Sequence, residues 1–214
     1  GGGTASEMTK RLDGDIFSKT PTVLMVTFGM TDSGYYEYNG DNAKEFGEQK
    51  YQESIKNFQQ MEKRFKELPH TRIVMTGTSP YDETAQIKDN TVFKKKNETI
   101  KRIIEYQRES AARNGWEFTD WNAPMVAINQ ELQQKDPSFT LCGNDRIHPD
   151  NDGHMVMAYL FLKAQGFAGK DVANMEINAN KKQAVKAEGC TISNIKKIGK
   201  DISFDYLAEA LPYP

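Results

Sequence analysis

The fold is decided by the stretch Thr22-Val23-Leu24-Met25-Val26-Thr27-Phe28. This continuous run of apolar and β-branched residues is typical of a strand that is buried on both faces, as the strands of parallel sheets are. A polar segment bounded by glycines, residues 29–34, follows the run. A second short apolar strand, residues 72–78, likewise ends in a polar loop. Since ligands bind at the carboxyl ends of strands in open α/β sheets, these loops are the first candidates for a functional site.

Helical patterns alternate with these strands along the chain. Residues 4–7 have the spacing of a capping box, and a short amphipathic helix follows them. Longer helical patterns cover the ranges 42–68, 91–113, 123–134 and 153–165, and a further strand covers 116–121. The alternation predicts an α/β fold, a doubly wound layer with a mostly parallel sheet. We assign residues 1–168 to this domain and predict a small β appendage for residues 169–214, where short strand-like pieces replace the helices.

The composition excludes several classes of function. The 214 residues carry a formal net charge of −2, with Lys and Glu interspersed, so nothing favours nucleic acid or an anionic membrane as a partner. No apolar run reaches the roughly 18 residues that a membrane span needs. Two cysteines, Cys142 and Cys190, are too few for a disulfide scaffold or a cysteine-rich zinc site, and the sequence does not show whether they pair. The charged run Lys94-Lys95-Lys96 is expected to be the solvated face of its helix.

The segment from Asn144 to His154 carries the clearest chemical pattern. Asp145 stands three residues before His148, and Pro149 follows at the entry to an apolar helix. A carboxylate and an imidazole at this spacing can lie side by side, so Asp145 can orient His148 as a general base. Two other interpretations stay open. The segment can serve only as a polar helix entry, because Asp and Asn are good N-caps, and Asp145, His148 and His154 could ligate zinc.

Three blocks in this order carry a resemblance to a known family. Gly2-Gly3-Thr4 precedes a helix, Gly29-Met30-Thr31-Asp32 follows a buried strand, and Asp145-Arg146-Ile147-His148-Pro149 precedes the last apolar helix. Together they resemble the SGNH/GDSL hydrolase family over residues 1 to about 167. The resemblance implies a three-layer α/β/α sandwich with a flavodoxin-like sheet. It also implies a serine esterase or acylhydrolase that needs no metal or other cofactor, and it slightly favours a secreted or periplasmic location.

The resemblance gives each block a role. Asp145 and His148 correspond to the catalytic acid and base, and Gly2 corresponds to a backbone donor of the oxyanion hole. Thr31 stands where the family has an asparagine, so a shorter hydroxyl would replace the side-chain amide as the second donor.

Two tyrosines follow the polar strand ends. Tyr35 and Tyr81 would supply flat, amphipathic walls for a substrate, although packing of the loops explains them equally well. Such walls suit sugars, and the resemblance implies that acetylated carbohydrates are common substrates. We therefore expect the partner to be a small-molecule or carbohydrate ester.

The nucleophile is missing from the sequence. The family serine lies in a GDS turn upstream of the Gly2 block, and no GDS occurs in this chain. Ser6, Ser33 and Ser79 do not follow that pattern. We expect the serine, and the strand before it, upstream of the sequence given. Without that strand the sheet has an unpaired edge, which favours self-association. The alternative is a catalytically inactive binding or structural module with the same fold.

Overall fold

The structure is a computed structural model that describes residues 2–88 and 91–210. It divides into two compact units, Gly1–Ala164 and Gln165–Pro214. The helices of the first unit are α1 (Ala5–Asp15), α2 (Ala43–Phe65), α3 (Lys96–Asn114), α4 (Asn122–Leu132) and α5 (Asn151–Ala164). Its strands are β1 (Val23–Phe28), β2 (Arg72–Gly77) and β3 (Glu117–Asp120). The second unit contains β4 (Asn174–Asn178), β5 (Gln183–Glu188), β6 (Cys190–Ile198) and β7 (Asp201–Ala208).

The first unit is built on a parallel sheet in the order β1-β2-β3. Phe28 pairs with Gly77, and Gly77 pairs with Asp120, so the three strands end together at one edge of the sheet. The predicted α/β class with a parallel sheet is therefore confirmed. The shared edge brings the loops that follow β1 and β2 to the same end of the unit.

One face of the sheet is covered by α1, α2 and α3. Leu24, Val26 and Phe28 of β1 pack with Phe58 and Met61 of α2 in a single apolar cluster. Leu12 of α1, Ile103 of α3 and Met75 of β2 complete the centre of this cluster. Phe58 and Phe65, on one face of α2, both belong to this core.

The prediction that β1 is buried on both faces is wrong. Leu24, Val26 and Phe28 are buried, but Val23 and Met25 are each 50% exposed. The reason is that no helix among the described residues covers their face of β1. β2 lies between two strands and is buried on both faces from Ile73 onward.

The start of α3 also differs from the prediction. The helix begins at Lys96, whereas the sequence pattern placed its start near residue 91. Lys95 adopts a left-handed conformation with φ of 70°, which ends the preceding turn. The carboxylate of Glu83 accepts hydrogen bonds from the N–H groups of Lys95 and Asn97, at 2.8 and 2.7 Å. This cap comes from a distant loop, so the local pattern could not show it.

The second unit contains two antiparallel hairpins, β4–β5 and β6–β7. Short strands in this part of the chain were predicted, and they are observed. The sequence Leu207 to Pro214 suggested an apolar turn, but Leu207 and Ala208 belong to β7, and residues 211–214 lie outside the described residues. Cys142 and Cys190 are both free and buried.

Candidate active site

The N-terminus of α1 is fixed by a capping box. Thr4 Oγ1 accepts from the backbone N–H of Glu7 at 3.3 Å, and the Glu7 carboxylate accepts from the backbone N–H of Thr4 at 2.8 Å. Gly2, two residues earlier, has a φ of 81°, which glycine adopts without steric cost. The chain before α1 therefore has a defined course, and it carries the glycine predicted as an oxyanion donor.

A cavity of about 780 Å³ lies where this turn meets the carboxyl ends of β1 and β2. Gly2 and Thr31 line it together with Thr78, which follows β2. Two residues predicted for the oxyanion hole, from separate blocks of the sequence, are thus brought to one cavity. Met8 and Arg11 of α1 complete a wall that is partly apolar and partly cationic.

Asp32 ties the two blocks together. It is 6% exposed, and its two carboxylate oxygens accept from the N–H groups of Ala5, at 2.9 Å, and Gly29, at 3.2 Å. Burial raises the pKa of Asp32 above its usual 3.8, although these hydrogen bonds oppose the rise. Asp32 therefore joins the start of α1 to the end of β1, and Thr31 next to it keeps its hydroxyl within 3.5 Å of Tyr35 Oη.

Lys96 supports the same loop from inside the protein, contrary to the solvated face predicted for residues 94–96. Its side chain is fully buried and donates to the carbonyl oxygens of Met30, at 2.8 Å, and Gly34. Its Nζ also lies 2.6 Å from Ser33 Oγ and 3.9 Å from the centre of the Tyr35 ring. Burial lowers the pKa of Lys96 from 10.5 to about 7. The sequence Lys94-Lys95-Lys96 does not indicate that Lys96 is buried while Lys94 and Lys95 are exposed.

Asp145 and His148 form a hydrogen-bonded pair in the loop before α5. Asp145 Oδ2 lies 2.6 Å from His148 Nδ1, and Asp145 Oδ1 accepts from the backbone N–H groups of Ile147 and His148, both at 2.9 Å. Partial burial acts to raise the pKa of Asp145, but the hydrogen bonds outweigh it and hold that pKa below 3.8. The carboxylate is therefore ionised at neutral pH, and it can fix the orientation of the imidazole and stabilise an imidazolium.

The loop that carries this pair is closely packed below the surface. Gly143 has a φ of 63°, and a Cβ there would lie 2.7 Å from the carbonyl oxygen of His148. Cys142 is fully buried, and its thiol donates to the carbonyl of Pro80 at 3.1 Å. Burial raises the pKa of Cys142 to about 12, so its thiol is protonated at neutral pH and is not a nucleophile.

The two tyrosines predicted as substrate walls lie in different surroundings. Tyr35 is partly exposed and meets Phe93 edge to face. Tyr81 is only 1% exposed, its ring stacks on Phe93, and its hydroxyl accepts from the Phe93 N–H at 3.0 Å. The side chain of Tyr81 is therefore a core residue in this structure, because Phe93 covers the face that the sequence suggested was open.

The predicted residues do not all line one cavity. Asp145 and His148 are absent from the lining of the cavity that holds Gly2 and Thr31. Ile147, between them, packs against the apolar cluster that also contacts Met30 and Tyr35, so both loops lie at the same end of the first unit.

No serine among residues 2–88 and 91–210 donates a hydrogen bond to His148. Ser33 is fully buried, Ser79 is 7% exposed, and Ser6 lies within the first turn of α1. Within the same part of the chain, no three His, Cys, Asp or Glu side chains converge as a metal site, which does not support the zinc interpretation of Asp145, His148 and His154. No helix in the described ranges is long and apolar enough to cross a bilayer.

Comparisons with known proteins place this arrangement in a family. Among solved structures, the gut microbial diltiazem-metabolizing enzyme BT4096 is 97% identical, with a TM-score of 0.90. That match covers 100% of this chain but 48% of the other, so the chain spans about half the length of this relative. The acetylxylan esterase Axe2 from Geobacillus stearothermophilus is 21% identical, with a TM-score of 0.58, and the match covers 78% of this chain and 69% of that one.

A second acetyl xylan esterase, AlAXEase, is 18% identical with a TM-score of 0.54, over 79% of this chain and 78% of that one. At these identities, the two esterases show a shared fold. No curated protein sequence matches the chain. The family model of the GDSL-like lipases and acylhydrolases matches residues 1–156, which confirms the resemblance seen in the three blocks. The chain therefore belongs to the GDSL-like lipase/acylhydrolase family.

Proposed function

We propose that this chain is the acid–base part of a serine esterase, in which Asp145 and His148 activate a serine that lies outside these 214 residues. The observation that carries the proposal is the 2.6 Å contact between Asp145 Oδ2 and His148 Nδ1. The imidazole side chain is 79% exposed, so its other nitrogen is open to a nucleophile from another segment. Family membership supports the reaction class.

The proposed reaction proceeds through an acyl-enzyme. His148 takes the serine proton as the serine oxygen attacks the ester carbonyl, and Asp145 stabilises the imidazolium that forms. The proton then passes to the departing alcohol. Water, activated by the same imidazole, attacks the acyl-enzyme and releases the acid. The N–H of Gly2 and the hydroxyl of Thr31 are the proposed donors to the oxyanion.

We propose that the strand preceding the nucleophilic serine pairs with the free edge of β1. Within the described residues β1 pairs with β2 alone, so one row of its backbone N–H and C=O groups is available to another strand. A strand paired there would end beside Thr27 and Phe28, which line the cavity of Gly2 and Thr31. If the edge stays open, it also favours self-association.

The proposed substrate is an acetyl ester. BT4096, 97% identical over this whole chain, is a diltiazem-metabolizing enzyme, and diltiazem carries an acetate ester. Acetylated carbohydrates are the second candidate, because the acetylxylan esterases share the fold. The partly exposed Tyr35 beside Thr31 could form a flat wall for either alcohol.

The first test is fluorophosphonate labelling, measured by intact mass, of the 214-residue chain and of a longer protein that contains it. We expect an adduct in the longer protein only, and we expect its loss in the His148→Ala variant. Asp145→Asn in the longer protein should lower kcat for acetate release from diltiazem by about 10³- to 10⁴-fold, as loss of the orienting carboxylate does elsewhere.

Two results would overturn the proposal in different ways. An adduct on the 214-residue chain that disappears in His148→Ala would place the nucleophile within this chain. Absence of labelling in both proteins, with the fold intact by circular dichroism, would favour an inactive binding module. Acetate release from acetylated xylooligosaccharides but not from diltiazem would leave the mechanism standing and change the substrate.

A further inference from the structure

Arg146 lies between the two members of the proposed dyad, yet its surroundings are opposite to theirs. Arg146 is 2% exposed, whereas the side chains of Asp145 and His148 are 52% and 79% exposed. A guanidinium is buried this far only when the surrounding structure holds it there, because removing its charge from water is costly. The side chains of Asp145 and His148 thus lie at the surface, whereas the side chain of Arg146, between them in the sequence, points into the protein.

Arg146 and Asp82 hold each other through two hydrogen bonds. Arg146 Nη1 donates to the carbonyl oxygen of Asp82 at 3.0 Å, and the Asp82 N–H donates to the carbonyl oxygen of Arg146 at 3.1 Å. We call this pair of contacts the 82–146 latch. It joins the loop after β2 to the loop before α5.

The Asp82 end of the latch is firmly anchored. Asp82 is 4% exposed, and one carboxylate oxygen accepts from Thr84 and Ala85 within its own loop. The other oxygen accepts from Asn129 Nδ2 at 3.2 Å and Gln133 Nε2 at 3.0 Å, at the end of α4. The latch therefore ties the dyad loop to a residue that is itself held by five hydrogen bonds.

Two features of Arg146 cost free energy of folding. Its φ is 67°, a left-handed conformation that is strained for any residue with a Cβ and that glycine adopts freely. Its Nε is buried and has no hydrogen-bond partner among the described residues. Both features disfavour folding, and strain of this kind persists at sites where function requires a particular geometry.

We propose that Arg146 is a positioning residue: the 82–146 latch fixes the backbone between Asp145 and His148 so that the exposed carboxylate and imidazole stay hydrogen-bonded. The left-handed turn at Arg146 directs the N–H groups of Ile147 and His148 to Asp145 Oδ1. An exposed ion pair on a flexible loop would otherwise lose the contact to rotamer freedom and water. This inference rests on the proposed function of the dyad.

The test compares Arg146→Gly with Lys182→Gly. Lys182 also has a positive φ, of 50°, and is exposed, so glycine relieves strain at both positions, while only Arg146→Gly removes a hydrogen bond of the latch, the one that Nη1 donates to Asp82. The readout is the ratio of the two neutral tautomers of the His148 ring, from ¹⁵N chemical shifts of the 214-residue chain. The hydrogen bond to Asp145 selects the Nδ1–H form.

We expect Arg146→Gly to lower the ratio of Nδ1–H to Nε2–H forms of His148 about threefold or more, as loss of the selecting hydrogen bond requires. Lys182→Gly should match the wild type, and Asp145→Ala gives the ratio for a ring that has lost its hydrogen-bond partner. An unchanged ratio in Arg146→Gly would overturn the proposal. If that variant does not fold, Arg146→Lys is judged by the same criterion, because lysine cannot reproduce the Nη1 geometry.

The kinetic test separates this inference from the proposed function. In the longer protein, Arg146→Gly should lower kcat for acetate release at least about tenfold with little change in KM, since it disturbs the base rather than substrate binding. Added guanidinium should restore part of the rate. If Arg146→Gly changes the tautomer ratio but the wild type has no esterase activity, the proposed function is refuted and the positioning role of the latch is still supported. Full activity in Arg146→Gly would refute the latch.

Discussion

Replacing Lys96 with methionine should remove a pH dependence from the stability of the first unit. Lys96 is fully buried, and burial lowers its pKa from 10.5 to about 7 against the attraction of Asp32 and Glu83. In the unfolded chain the same amine keeps its ordinary pKa. Between pH 7 and 10.5 the unfolded state therefore binds more protons than the folded state, and the free energy of unfolding rises with pH.

The size of the effect follows from these two pKa values. Protonation linkage gives a gain of about 2.5 kcal/mol between pH 6 and pH 9, with a slope that approaches about 1.4 kcal/mol per pH unit. Below pH 6 the amine is protonated in both states, so the cost of burying its charge is fully present. The charged amine donates to the carbonyls of Met30 and Gly34 and to Ser33 Oγ, and after losing one proton it keeps two N–H groups, enough for the two carbonyls.

The measurement is urea unfolding at pH 6, 7, 8 and 9, followed by tryptophan fluorescence. Both tryptophans, Trp116 and Trp121, lie in the first unit, so the signal reports the part of the chain that contains Lys96. The quantity of interest is the difference between wild type and Lys96→Met. Burial raises the pKa values of Cys142 and Tyr38, and their contributions cancel in this difference.

Lys94→Met is the matched control, because Lys94 is exposed two residues earlier in the same run. It should follow the wild-type pH dependence throughout. Parallel curves for wild type and Lys96→Met would show that the folded protein keeps Lys96 charged across this range. That result would refute the conclusion that burial lowers the pKa of Lys96 by more than the nearby acceptors and the Tyr35 ring raise it.

Three further predictions concern stability. Phe58→Ala should lower the free energy of unfolding by about 3–5 kcal/mol in urea, because the ring is fully buried in the main cluster; a loss below about 1 kcal/mol would mean that the cluster collapses around the cavity. Thr4→Ala should cost about 1 kcal/mol through loss of the capping box, and Thr4→Ser should restore most of it. Gly143→Ala should cost about 1–3 kcal/mol by thermal unfolding, because it adds a clash with His148 to the strain of positive φ. Gly166→Ala is its control: the φ is 79° with no atom near the added Cβ, so an equal loss would show that the clash is unimportant.

Local signals explain most of what could be predicted from the sequence. The capping box at Thr4 and Glu7 is closed by residues three positions apart, so its spacing alone indicates where α1 begins. Asp145 and His148 are likewise three residues apart, and the hydrogen bond between them needs only a turn of the right shape. The parallel sheet follows from short apolar runs that alternate with amphipathic helices.

Features that depend on distant partners could not be predicted in this way. The start of α3 is set by Glu83, which lies more than ten residues upstream of the N–H groups it caps. Tyr81 is buried because Phe93 stacks on it, although the polar loop around Tyr81 suggested an open wall. β1 is open on one face because the described part of the chain provides no helix to cover it, and its apolar sequence does not reveal that.

The order of the helices and strands, the family and the Asp145–His148 pair could be predicted from the sequence, because each depends on periodicity or on residues within a few positions of one another. Which polar groups are buried depends instead on tertiary contacts. Lys96 and Arg146 look like surface residues in the sequence, yet one holds the loop of Thr31 and the other holds the loop of His148. Their burial depends on carbonyl groups more than sixty residues away in the chain, which no local pattern encodes.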